Sequence, residues 1–135
     1  LNITTENVGK VIMGGPLTGI ALKNLNMPVT KDFEQLVIQN RDEVIDYPSG
    51  VCIKCGYCVQ VCPMRLMPFL ISGFSEGGHF ELAEKNNIFD CIECGCCAYV
   101  CPVQIPLVQW IQLGKSELRA QRSENNESTQ ISCFT

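Results

Sequence analysis

Nine of the ten cysteines fall in two short runs, CIKCGYCVQVCP at 52–63 and CIECGCCAYVCP at 91–102. Each run reads C-x2-C-x2-C-x3-C-P. Aligned at an offset of 39 residues, the runs agree at eight of twelve positions, which marks an internal duplication. The repeat pairs Cys52, Cys55, Cys58 and Cys62 with Cys91, Cys94, Cys97 and Cys101. Cys96 falls opposite Tyr57 and so stands outside the repeated pattern. Thiolates at this density and spacing are metal ligands.

The four-cysteine run followed by proline is the spacing of bacterial two-cluster ferredoxins, in which the fourth cysteine ligates the other cluster. Three thiolates a few residues apart can wrap one face of an Fe4S4 cubane, whereas the fourth lies a helical turn on and points away. Cys52, Cys55, Cys58 and Cys101 are therefore expected to hold one [4Fe–4S] cluster, and Cys91, Cys94, Cys97 and Cys62 the other. Gly56 and Gly95 let each loop come close, so that backbone N–H groups can aim at sulfur. Zinc sites favour separated cysteine pairs over runs of this form. A disulfide scaffold fits poorly with the adjacent Cys96 and Cys97, and the opening LNITTENVGK lacks the charged-then-apolar pattern of a secretion signal. Metal thiolates imply a reducing compartment, the cytoplasm.

Other reactive residues have plainer readings. Cys96 is expected to be a small buried residue, Cys133 a free thiol without a role, and His79 a surface residue at a helix start. Lys54 and Glu93 occupy one repeat position with opposite charge. They read as solvated loop residues in preference to a device that splits the two cluster potentials. MGGPLTG lacks both G-x-G-x-x-G and G-K-[ST] spacing and reads as a turn, not a phosphate loop. No catalytic acid, base or nucleophile stands out, so no catalytic residue is assigned.

The elements that position the cysteines follow from periodicity and breakers. VGKVIMGGPLTGIAL is two apolar runs around a Gly-Gly-Pro turn, a hairpin signal. Leu36-Val37-Ile38 reads as a short buried strand. NRDEVIDYPSG ends in a break that places a boundary at 47–50. Between the runs, Leu66, Phe69 and Leu70 lie at helical spacing, Gly77-Gly78 interrupts, and HFELAEKNN reads as a short helix with Phe80 and Ala83 on one face. After Pro106, Leu107, Trp110, Ile111 and Leu118 form one helical stripe, with Gly114 in its gap. Lys115, Arg119 and Arg122 gather toward the expected end of that helix, which suits its dipole. The predicted fold class is α+β. A small β-rich segment (1–48) precedes a mainly helical two-[4Fe–4S] ferredoxin-like domain with a C-terminal helix (49–122) and a disordered tail (123–135).

The formal charge of the 135 residues is −4, and the absence of a basic patch argues against nucleic acid. Every apolar run is broken by Gly, Pro or charge, so no direct membrane span is expected. The chain opens abruptly at Leu1 and reads as a piece of a longer protein.

DCIECGCCAYVCPVQIPLVQWIQLGKSEL, where the second run passes into Ile-Pro-Leu-Val-Gln and an amphipathic helix, resembles the C subunit of the Rnf (or Rsx) ion-translocating electron-transport complex. VIMGGPLTG and MPVTK are similar to the family's segment ahead of the cluster domain, a β-grasp-like (SLBB-like) module. The resemblance covers residues ~8 to 120; Cys96 departs from it, standing where a small residue is expected. It implies an electron-transfer module with two [4Fe–4S] clusters, peripheral on the cytoplasmic side of the bacterial inner membrane. That module serves a complex that couples ferredoxin and NAD(H) chemistry to Na⁺ or H⁺ transport. Its partners would be the other subunits and ferredoxin. The family's FMN and NAD(H) sites would lie upstream of this segment, leaving it an electron carrier. Cobalamin reductase of bacterial microcompartments has a similar layout and is the alternative within this chemistry; a zinc-stapled interaction domain is the alternative outside it.

Overall fold

Residues 7–28, 31, 35–44 and 49–131 are described in this computed structural model, with side chains as far as residue 123. The chain divides by internal packing into two units, Leu1–Ser49 and Gly50–Thr135.

In the first unit, the apolar runs on either side of the Gly-Gly-Pro turn pair as expected. Strand β1 (Val8–Met13) lies between β2 (Ile20–Ala21) and β3 (Leu36–Asn40) in an antiparallel sheet. Ile12 faces Ala21 on one side and Val37 on the other. The turn needs its glycines. Gly14 has φ +100°, a conformation side chains disfavour, and a Cβ on Gly19 would fall 2.5 Å from Ile12 Cγ2 and 2.6 Å from the Gly15 carbonyl. The strand expected at 36–38 is present but not buried. Leu36 and Ile38 are 45% and 38% exposed, and half-buried Val37 and Gln39 alternate with them. Three adjacent apolar residues in a strand must point to alternating faces, and among the described residues of this unit only Val11 is buried.

The second unit is helical and folds the two cysteine runs around its longest helix. Short helices α1 (Tyr57–Gln60) and α4 (Cys96–Tyr99) lie inside the runs. Between them α2 (Pro68–Glu76) starts on a proline whose missing N–H costs nothing there. Helix α3 (Phe80–Lys85) and a 3-10 turn (Ile88–Asp90) follow. Helix α5 (Leu107–Ile131) completes the unit. One core gathers Leu66, Ile71, Ala83, Ile88, Ile111 and Leu118, with Ala83 and Ile88 wholly buried. A second gathers Leu107 and Val108 with the thiols of Cys58 and Cys97.

Helix α5 differs from expectation in three ways. Its buried stripe takes Val108 where Trp110 is expected, and Trp110 is only half-buried at the stripe's edge. The tail expected over 123–135 is helical as far as Ile131, since no Gly or Pro after Gly114 stops the helix; residues 132–135, with Cys133, lie outside the described residues, as do 47 and 48 of the boundary expected at 47–50. Lys115, Arg119 and Arg122 are thus mid-helix and do not serve the helix end. Arg122 instead pairs with Glu84 of α3 and lies 4.4 Å over the Phe89 ring, and Lys115 is buried.

Candidate metal centres

The duplication seen in the letters is a duplication of backbone. Lys54 and Glu93 both adopt left-handed geometry, at φ 55° and 57°, as do Gly56 and Gly95 at 82° and 83° and Arg65 and Gln104 at 55° and 52°. Each glycine caps the short helix of its run, and the Gly56 and Gly95 carbonyls each accept from the amides three and four residues on. After each fourth cysteine, the amides of Arg65 and Gln104 return to the carbonyls of Cys62 and Cys101, both at 3.1 Å. Two left-handed residues per loop turn the chain around a point, which directs successive cysteine side chains inward.

Two cavities of like size, about 20 Å³ each, lie between the runs. Cys52, Cys55, Cys58 and Cys101 line the first, with Phe69, Val103, Ile105 and Leu107 among its apolar walls. Cys91, Cys94, Cys97 and Cys62 line the second, with Leu66, Pro68, Ile71, Val108 and Ile111. Each cavity thus takes three cysteines from one run and the fourth from the other. The eight residues picked out by the repeat are the eight cysteines on these walls. Cys96 lines neither cavity. It is half-buried, not buried as expected, and its thiol is pushed above the usual range first by a hydrogen bond with Cys94. Among the described residues, no three thiols, carboxylates or imidazoles close in tightly enough for a single metal ion.

Burial acts on three of the eight thiols on these walls. Burial pushes the Cys58 and Cys91 thiols up and Cys97 to about 12. At these three positions a bare thiolate is therefore disfavoured unless a cation is bound to it. Backbone amides aim at sulfur, with the N–H of Leu66 3.4 Å from Cys62 Sγ and that of Glu93 3.4 Å from Cys91 Sγ.

One feature escapes a reading by repeat and periodicity. Glu93, expected as a solvated loop residue, accepts hydrogen bonds from Lys115 Nζ at 2.6 Å and Gln112 Nε2 at 3.0 Å. Lys115 Nζ also donates to the Cys91 carbonyl at 2.6 Å. Burial alone would raise the Glu93 carboxyl, but these donors and the Lys115 charge hold it below the usual range. A signal for this is present in the sequence: Lys115 follows Ile111 by four and precedes Leu118 by three, a charge on the buried stripe.

Residues 51–105 match the family model described as a 4Fe-4S dicluster domain. Curated relatives, each named as the C subunit of an ion-translocating oxidoreductase complex, align with most of the chain. That of Yersinia enterocolitica is 44% identical over 128 residues, 94% of this chain and 18% of its own length. That of Pseudomonas aeruginosa is 46% identical over 116 residues, 85% of this chain and 15% of its own. That of Edwardsiella ictaluri is 47% identical over 111 residues, 82% and 14% respectively. The chain therefore spans less than a fifth of the length of these relatives. The α+β expectation, with a ferredoxin-type domain, agrees with both the fold and the family match.

Proposed function

Since the chain is homologous, over most of its length, to part of the C subunit of ion-translocating oxidoreductase complexes, we propose that it is the electron-transfer module of such a complex and carries two [4Fe–4S] clusters. Cys52, Cys55, Cys58 and Cys101 would hold the first cluster, and Cys91, Cys94, Cys97 and Cys62 the second. The observation that carries this reading is the division of the eight cysteines between two cavities, four thiols to each. A four-thiol set with apolar walls fits an iron–sulfur cluster in its donor chemistry.

When bound, the clusters would supply one-electron storage and transfer. The chain's own part is to hold and tune. The thiolates would fix the metal, with buried Leu107 against the first cavity and buried Ile71, Val108 and Ile111 against the second. The amides of Leu66 and Glu93 aim partial positive charge at the sulfurs of Cys62 and Cys91. Proton transfer and nucleophilic attack are not required of any side chain. No helix among the described residues is long and apolar enough to cross a membrane. The segment's proposed place is the cytoplasmic side of the membrane, against other subunits of the complex. Ferredoxin is a proposed redox partner, and FMN and NAD(H) would be bound outside this segment.

Anaerobic reconstitution followed by iron and sulfide analysis tests the reading. About eight of each per chain is expected for two cubanes. A value near four, or stoichiometric zinc in their place, would sink the two-cluster assignment.

A further inference from the structure

At the one position in the repeat where charge reverses, the two sites have unlike surroundings. Lys54, on the wall of the first cavity, is exposed and makes no ion pair among the described residues. Glu93, on the wall of the second, is tied to Lys115, whose residue is only 4% exposed. Lys115 stands on the buried stripe of α5, where Leu or Met would pack without bringing a charge out of water. Desolvating an ammonium is costly, and a buried pair often contributes less stability than apolar residues of the same volume. Helix packing therefore does not explain the lysine.

Its contacts suggest what does. One ammonium reaches two groups of the same four-residue loop, the Cys91 carbonyl and the Glu93 carboxylate, each at 2.6 Å. Cys91 and Cys94 bracket Glu93, and Glu93 itself holds the left-handed turn that separates them. Among the described residues the first cavity has no such buried cation: Lys54 belongs to the loop itself and is exposed.

We propose that Lys115 is a positioning residue that sets the reduction potential of the second cluster, by fixing the Cys91–Cys94 loop and neutralising the carboxylate at its wall. This rests on the two-cluster reading above. Reduction adds one negative charge to a cluster, so a nearby fixed cation favours it and a nearby fixed anion opposes it. Lys115 is buried and Glu93 about a third exposed, so solvent screens these effects only in part. Paired, Lys115 and Glu93 largely cancel, and either one alone would not.

Three variants of the full chain, with clusters reconstituted anaerobically, separate this from simple packing. Redox titration followed by EPR reads both midpoints, the second cluster being identified by the signal lost in Cys94→Ser. Lys115→Met should lower the midpoint of the second cluster, because the carboxylate is left uncompensated. Glu93→Gln should raise it, because the ammonium is left. The double variant should return it toward the parent value, and the first cluster should move little in all three. A structural role would give no opposite signs and no restoration. If Lys115→Met does not retain its cluster, the double variant against Glu93→Gln decides: a midpoint lower in the double variant supports the inference and an unmoved or higher one overturns it. Two clusters whose midpoints ignore both substitutions, or shift the same way in both, would overturn this inference alone. A parent chain with fewer than two clusters would overturn the functional reading and this inference with it.

Discussion

Gly114 shows how much a single hydrogen can matter on α5. A Cβ placed there would lie 2.3 Å from Ser75 Oγ, 2.8 Å from Ile88 Cδ1 and 3.1 Å from Ser75 Cβ. Ser75 has little room to turn away, being buried and donating to the Ile71 carbonyl at 2.9 Å. Alanine would improve helix propensity by about 1 kcal/mol. Overpacking a filled core typically costs about 1–3 kcal/mol. Gly114→Ala should therefore be net destabilising, by up to about 2 kcal/mol, and denaturant unfolding of the loaded protein would measure it. A gain in stability would mean that α2 and α5 are less closely set than described. The sequence shows a glycine in the gap of an apolar stripe, and so shows that something small is required. That Ser75 and Ile88 are the reason depends on α2 and the 3-10 turn, 39 and 26 positions away. The partner of Lys115 is hidden for the same cause, since Glu93 meets it only after the chain has turned back on itself.

At the level of elements, the short helices α1 and α4 make a testable claim. Each presents its third cysteine to one cavity, and the segment beyond it sends the fourth to the other. Under the proposed ligand sets, Cys55→Ser with Cys62→Ser should damage both clusters, although both residues lie in one run. Cys94→Ser with Cys62→Ser should damage one and leave about four irons per chain. Local wiring would exchange the two outcomes. Iron analysis and EPR of the paired variants distinguish them, with Cys96→Ser as a control that should keep both clusters. The cysteine spacing and its duplication were legible in the sequence because both are written in consecutive residues. The length of α5 was not, because a polar run without Gly or Pro is compatible with either tail or helix. The exposure of β3 was not legible either: an unbroken apolar triplet is silent about which of its faces is covered.

For the whole molecule, the formal −4 counts every thiol as neutral. An oxidised cubane with four thiolates carries about −2, so two would take the loaded chain to about −8. A charge of that size steers encounters with a basic partner surface, and salt screens it over about 8–10 Å at ordinary ionic strength. Association of the loaded chain with the other subunits should slow several-fold as salt rises from about 0.05 to 0.5 M. Stopped-flow measurement across that range would show it, and a rate indifferent to salt would mean that the contact is not electrostatically guided.

The exchange of fourth cysteines also has a consequence for chain entropy. With the proposed ligands, one bound group would join Cys58 to Cys101 and the other Cys62 to Cys91, closing one loop inside another. Everything from α2 to the 3-10 turn lies in the inner loop. Such cross-links act on the unfolded chain, removing about 3–5 kcal/mol of its conformational freedom for closures of this size, in the manner of disulfides. The cost of loop closure grows only with the logarithm of length, about 0.6 kcal/mol per doubling. The exposed Gly77-Gly78 turn between α2 and α3 is therefore a point where the inner loop could lengthen at little energetic cost, whereas cutting it open would release much of the constraint.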